Sequence, residues 1–456
     1  MNMQKQLLYL VLILFTLSNY SCKREVPSNQ ASIEVKQVKH PDWSKDVSIY
    51  EVNVRQFTPE GTFSALEGHL PRIKELGTDI IWLMPIHPIG EKNRKGSLGS
   101  YYSVKDYYGI NPEFGDSVSF RSFITRAHQE GLKVIIDWVA NHSAWDNALV
   151  TEHPEFYAKD STGQMFAPFD WTDVVKFDFN VPEMRKYMLE AMKYWVREFD
   201  IDGFRCDVAG EVPMDFWDNA RVELDKIKPV FLLAEAEGPQ FHTAFDMTYG
   251  WEFHHIMNKI YKGEATPNDV ENYLKKNDSL YPEDAYRMYF ITNHDENSWA
   301  GTEFERLGDA VESFFALSTL IPGMPLVYSG QEAAMQKRLE FFEKDPIEWG
   351  NYQKAPFYKT MLGFKSFHPA LYNGNEGGSW ERISTDNDEK VFAILRKKGT
   401  QQVVGIFNLS NEEVTIALKD NDLRETFKVL FSTEEIVLDE FTRVKLPAWS
   451  YKILYK

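Results

Sequence analysis

Apolar residues fall along this chain in short unbroken runs, most of them followed by a longer stretch in which they recur every three or four positions. Eight such runs can be read, at 47–54, 80–85, 133–139, 203–207, 230–235, 244–249, 288–293 and 325–328. A short apolar run without polar alternation fits a strand buried on both faces, as in a parallel sheet covered by helices. Helical spacing appears between most of them, at 66–76, 117–130, 182–199 and 304–320. Eight strands with helices between most of them predict an α/β fold, a closed (β/α)8 TIM barrel. The third interval breaks the pattern. Residues 142–180 are rich in Asp, Pro, Phe and Trp without helical period, and read as a small inserted domain between barrel parts at 45–141 and 181–367. Beyond residue 367 the pattern becomes short alternating strands, at 391–395, 402–408, 413–418, 427–431, 444–446 and 451–455, which predict a C-terminal antiparallel β-sandwich over 368–456.

The N-terminus belongs to neither domain. Lys5 precedes an apolar stretch from Leu7 to Leu17, too short for a membrane span of about 20 residues, and residues 1–22 read as a targeting segment. Cys22 resembles the lipidation site of a bacterial lipoprotein, although Asn19-Tyr20-Ser21 departs from the usual box before it and leaves simple cleavage and secretion open. Residues 23–44 read as a tether. The expected location is the bacterial cell envelope, at the outer membrane or in the periplasm. With Cys22 so used, Cys206 has no partner for an intrachain disulfide. A length of 456 residues, 43% of them hydrophobic, can bury a large core. Its 50 basic against 68 acidic residues give a net charge of −18, which argues against a nucleic-acid or anionic-membrane partner, since both demand clustered positive charge. Any membrane association is then through a lipid anchor alone.

Candidate chemistry gathers where the apolar runs end. Gly203-Phe204-Arg205-Cys206-Asp207 puts an Arg and an Asp two positions apart, hence on one face of a strand. A guanidinium there keeps the carboxylate ionised and fixes its direction. Glu235 closes the fifth run and Asp295 follows the seventh. Any one of these acids could simply cap the following helix, the commonest use of Asp after a strand. Their separations argue otherwise, being close to one and two strand-plus-helix units of roughly 30 residues each. The three acids then converge at one rim of a barrel. Two carboxylic acids flanking a bond, with a third charge nearby, are what glycoside hydrolysis requires.

These residues resemble the α-amylase family of glycoside hydrolases, family thirteen, from about Tyr50 to the end of the chain. Asp137-Trp138-Val139-Ala140-Asn141-His142 is similar to the family's first conserved region, Gly203 to Asp207 to the second, Leu233-Ala234-Glu235 to the third, and Asn293-His294-Asp295 to the fourth. The resemblance implies that Asp207 is the nucleophile beside Arg205, Glu235 the acid/base and Asp295 the group that grips sugar hydroxyls. It implies that His142 and His294 bond hydroxyls of the same sugar, that Tyr102 is the stacking ring with Tyr101 as competitor, and that Asp106 is its paired acid. No cofactor is required. Asn141 and Asn180 match positions that bind calcium in some amylases, but a hard cation prefers carboxylates and calcium is not indicated.

Departures bear on substrate. Val208-Ala209-Gly210-Glu211-Val212 stands where many members end in Lys-His, and is closer to neopullulanase-like and cyclomaltodextrinase-like members. The expected partner is an α-glucan or maltooligosaccharide, cleaved with retention. An α-amylase leads, with a neopullulanase-, cyclomaltodextrinase- or α-glucosidase-like enzyme as the alternative. A non-catalytic glucan-binding lipoprotein is the alternative of another class, and such relatives typically lack one or more of the three acids.

Overall fold

The chain's computed structural model describes residues 38–419, 423–439 and 441–456. The targeting segment, Cys22 and most of the tether lie outside the described residues. The first strands are β1 (Ile49–Val52), β2 (Ile80–Leu83) and β3 (Lys133–Trp138). An antiparallel pair follows, β4 (His142–Ala144) with β5 (Val174–Lys176), and lies within the interval expected to form the insertion. The parallel series resumes with β6 (Gly203–Cys206), β7 (Phe231–Ala234), β8 (Met247–Tyr249), β9 (Tyr286–Tyr289) and β10 (Met324–Tyr328). β3 pairs with β6 across the insertion, and β10 pairs with β1 to close an eight-stranded barrel.

Strand alternation sorts the side chains. Ile49, Trp82, Ile135, Leu233, Met288 and Leu326 fill the barrel interior, while Tyr50, Ile81, Ile136, Phe204 and Leu232 pack outward under the helices. Burying each such side chain stabilises the fold by roughly 1.5–3 kcal/mol relative to exposure. The helix Pro182–Phe199 starts on a proline and ends at Asp200, held at φ 58 in the left-handed region. Gly203 opens β6 so close to β7 that a Cβ would collide with the Phe231 carbonyl, so glycine is what lets these two strands lie side by side.

Some elements differ from the sequence expectation. The helix expected over 66–76 is two, Phe63–Glu67 and Leu70–Glu75; Pro71 has no N–H to continue the first and sits in the opening turn of the second. The helix expected over 304–320 breaks at Gly308, φ 48, packed against the Tyr261 hydroxyl. The seventh strand ends at Tyr289 rather than continuing to 293. Past that point its backbone is claimed from the side, with the Phe290 carbonyl 3.2 Å from His254 Nδ1 and the Ile291 carbonyl accepting from Arg306 Nη2 at 2.6 Å. The end of the expected tether is docked on the barrel: His40 Nδ1 lies 2.8 Å from Asp246 Oδ1, and the Lys39 carbonyl accepts from Arg221 Nη2 at 2.8 Å.

The C-terminal part contains β11 (Ser379–Arg382), β12 (Val391–Lys398), β13 (Gln401–Asn408), β14 (Val414–Ile416), β15 (Thr426–Val429), β16 (Glu435–Val437), β17 (Val444–Leu446) and β18 (Tyr451–Tyr455). Six of them form the sheet β11-β12-β13-β18-β15-β16, and β14 pairs with β17. Val391, Val404 and Ile406 of the larger sheet share one core with Ile416, Val444 and Leu446 of the smaller, which makes a β-sandwich.

Candidate active site

The C-terminal ends of the barrel strands hold most of the expected site residues together. On β6 the outward Phe204 and Cys206 enter the helix-side core, which turns Arg205 and Asp207 toward the barrel axis. Arg205 is fully buried. Its Nη1 donates to Asp137 Oδ1 at 2.9 Å and to Asp207 Oδ1 at 3.0 Å, its Nη2 pairs with Glu235 Oε1 at 2.8 Å, and its Nε donates to the Tyr249 hydroxyl at 3.1 Å. One cation therefore faces three carboxylates from three adjacent strands. The backbone N–H of Val208 adds a bond to Glu235 Oε2 at 2.7 Å.

A second network adjoins the first. Tyr102 donates its hydroxyl to Asp137 Oδ2 at 3.0 Å and meets His294 Nε2 at 2.8 Å, with its ring stacked on that imidazole at a centroid distance of 5.6 Å. His294 Nδ1 is bonded to Glu51 on β1, and its Nε2 lies 3.3 Å from Asp295 Oδ2. Burial opposes charge on His294, but the carboxylates of Asp295 and Glu51 outweigh it and hold the imidazole up at about 9. His294 is thus an imidazolium at neutral pH, with both N–H groups donating. His142 is the opposite case. Burial pushes it down to about 3, and Asn141 Nδ2 lies 3.2 Å from its Nδ1, so it is neutral with Nδ1 accepting.

Negative charge outnumbers positive in this buried cluster, and the carboxyls respond. Burial raises Asp137 to about 6, against the pull of Arg205. Burial and then the neighbouring Glu235 charge push Asp207 well above the usual carboxylate range, with Arg205 again opposing.

These groups floor a cavity of about 450 Å³ lined by Tyr102, His142, Asp207, Glu235, His294 and Asp295, within the range of small-molecule sites. Its upper walls come from loops: Trp171 of the insertion, and Trp299, Phe341 and Phe342 beyond Asp295. Trp299 is 57% exposed and lies on the Phe341 ring at 5.3 Å. Tyr101, the competing platform, is buried away from the cavity under the Arg55 guanidinium at 4.3 Å. Asp106 is not brought to the site. It is exposed, and its Oδ1 accepts from the Tyr108 N–H at 2.9 Å, so the carboxylate is used on its own turn. The positions matching calcium ligands do not assemble a suitable donor set. Asn141 Oδ1 is buried without a partner, but Asn180 is exposed and bonded to Asp178 at 2.8 Å, and no group of three or more His, Cys, Asp or Glu is placed for a metal among the described residues. Cys206 is buried and free.

Glu51 and Asp137 were given no role from sequence. Each left a signal, an acid inside an apolar strand, which is costly to bury unless paired. Trp171, Trp299 and Phe341 left none, because loop paths have no periodicity.

Residues 28–172 and 153–402 match the alpha-amylase family, in its catalytic domain. The chain superposes with a TM-score of 0.82 on a maltogenic α-amylase, AmyB, from Thermotoga neapolitana, at 32% identity over 90% of this chain and 98% of that one. It is 27% identical to the α-amylase MalA of Haloarcula japonica over 83% of its length, and spans 57% of that relative. It is 24% identical to a cyclomaltodextrinase of Geobacillus thermopakistaniensis over 91% of its length and 77% of the relative's. With its closed barrel, its three clustered acids and this family match over most of its length, the chain belongs to the α-amylase family of glycoside hydrolases.

Proposed function

We propose that this protein hydrolyses α-glucosidic bonds in starch-like α-glucans and maltooligosaccharides with retention of configuration. The observation that carries this reading is the single Arg205 guanidinium that holds both Asp207 and Glu235 at the floor of an aromatic-walled cavity. Retention needs the two carboxyl groups only about 5–5.5 Å apart, and a shared guanidinium favours such a short separation. Asp207 attacks the anomeric carbon and forms a glycosyl ester as Glu235 gives its proton to the leaving oxygen. Glu235 then takes a proton from water, whose oxygen opens the ester. Asp295 and the charged His294 hold sugar hydroxyls, and Tyr102 offers its ring to the pyranose face.

Within the family, a neopullulanase- or cyclomaltodextrinase-like specificity is the second reading, and one feature favours it. Val208 lines the cavity beside the nucleophile, and Glu211 is tied to Lys176 of β5 at 3.2 Å. The segment after Asp207 thus offers no cation of its own for gripping a long chain on the leaving side. We expect appreciable kcat/KM on maltotriose and some on pullulan or cyclodextrin beside amylose, since specificity lives in that ratio. Strong preference for amylose with no detectable action on the other three would return the protein to the endo-amylases.

We also propose that the mature protein is lipid-anchored through Cys22. An acyl chain transfers apolar surface into a bilayer at about 0.8 kcal/mol per buried CH₂. Cys22→Ala should release active enzyme into the soluble fraction, and retention of that variant in membranes would instead make the apolar leader an uncleaved anchor.

A further inference from the structure

Ile49 and Glu51 stand two positions apart on β1, hence on one face, and Ile49 belongs to the barrel interior. Glu51 is fully inaccessible and does not itself line the active-site cavity. One oxygen of its carboxylate is bonded to His294 Nδ1, and the other has no partner. A carboxylate buried with one oxygen unpaired is costly, so packing does not account for an acid at this position, and the one bond it makes needs a use. Charged and titratable groups surround the pair: Asp295 next to His294, Arg205 on β6, Asp137 on β3, and the hydroxyls of Tyr102, of Tyr249 on β8 and of Tyr328 on β10.

Counting protons fixes the state of the ring. Tyr102 has one hydroxyl proton and gives it to Asp137 Oδ2 at 3.0 Å, so it must accept at His294 Nε2, 2.8 Å away. Nε2 therefore carries a proton. On the other side of the ring Nδ1 meets an ionised carboxylate, which can only accept, so Nδ1 carries one too. Burial and Arg205 oppose the resulting charge, and Asp295 and Glu51 outweigh them. Bonded at both nitrogens, the ring is held from turning, stacked on Tyr102 at a centroid distance of 5.6 Å and edge-on to Trp82 at 5.8 Å. Asp295 Oδ2 lies 3.3 Å from the same Nε2. We propose that Glu51 is a positioning residue, which from β1 holds His294 in one orientation with a proton on each ring nitrogen and, through that ring, aims Asp295 and the Tyr102 platform at the sugar. Its effect on catalysis rests on the function proposed above; the protonation of His294 does not.

The test is Glu51→Gln in the full chain. An amide of the same shape can accept from Nδ1–H or donate to a bare Nδ1, so the ring stays bonded while its second proton is no longer required. Nitrogen NMR of the histidine-labelled protein, with His294→Gln to identify the signal, should show both ring nitrogens of His294 protonated in the parent near neutral pH and only one in Glu51→Gln. On maltotriose the variant should lose about tenfold or more in kcat, with KM changed by no more than about threefold, because the groups being aimed act in the transition state. The deficit should shrink by about threefold or more between mildly alkaline and mildly acidic pH, as the ring regains its second proton; a merely structural role for Glu51 would leave it the same at every pH. The parent spectrum decides the charge even if the variant folds poorly. A singly protonated His294 in the parent, or a kcat deficit that does not move with pH, would overturn the proposal. Amylose hydrolysis by the unsubstituted protein is scored separately: its absence would sink the proposed function and leave the spectrum to judge His294, while a failure of the spectrum with hydrolysis intact leaves that function standing.

Discussion

Asp207→Asn should lower turnover of any α-glucan by about 10⁴-fold or more, the scale on which enzymes lose activity when a nucleophile is removed. The amide has the shape of the acid, and its oxygen can still accept from Arg205 Nη1, now 3.0 Å from Asp207 Oδ1. It cannot form the glycosyl ester. Folding should be unharmed, because the substitution removes one negative charge from a buried cluster that already holds Asp137, Glu235 and Glu51. The measurements are single-turnover kinetics on maltoheptaose and a thermal melt. Activity within a few-fold of the parent would reduce Asp207 to a counter-charge for Arg205 and require another nucleophile.

Arg205→Met should have the largest effect on stability. The guanidinium is inaccessible and is the shared partner of Asp137, Asp207 and Glu235. Breaking a buried ion pair by removing one side typically costs about 3–5 kcal/mol. The loss should depend on pH. Asp137 and Asp207 already titrate above their ordinary range because of burial. A carboxyl with a raised folded pKa contributes stability that is fully present below its unfolded value, near 4, and is lost as pH rises through the folded value, about 6 for Asp137. Without the cation these carboxyls rise further. The variant should therefore melt closest to the parent in acid and fall behind it steadily toward pH 8, and any residual activity should show its acid limb at higher pH. Arg205→Lys should rescue little, since one ammonium cannot reproduce the planar fork that reaches all three acids. Equal melting of parent and Arg205→Met at pH 8 would mean that the three acids are neutral in the resting protein.

The barrel was legible because parallel strands buried on both faces read as unbroken apolar runs. The same property hid where β9 stops, since Phe290 and Ile291 are as buried as the strand before them, and only the side-chain claims on their carbonyls end the ladder. β11 and β16 left no apolar alternation because they are the two edges of their sheet and are largely exposed. At the site, Asp207, Glu235 and Asp295 were legible as acids at run ends, with His142 and His294 placed by resemblance. Asp106 was misplaced because its turn uses the carboxylate locally, which only the backbone geometry reveals. Tyr101 and Tyr102 could not be told apart until the chain's path put one ring under Arg55 and the other over His294.

Val208 links the nucleophile's strand to the acid through its N–H, and does so at φ 36 and ψ 49, a left-handed conformation that a branched side chain adopts at a cost of roughly 1–2 kcal/mol. Glycine or asparagine would hold that backbone with less strain. Directed evolution for heat tolerance alone would therefore be drawn to this position. The variants it enriched would gain melting temperature by relaxing the loop that aims Glu235, and would emerge tougher and slower, so a selection that also scores sugar release is needed to keep valine in place.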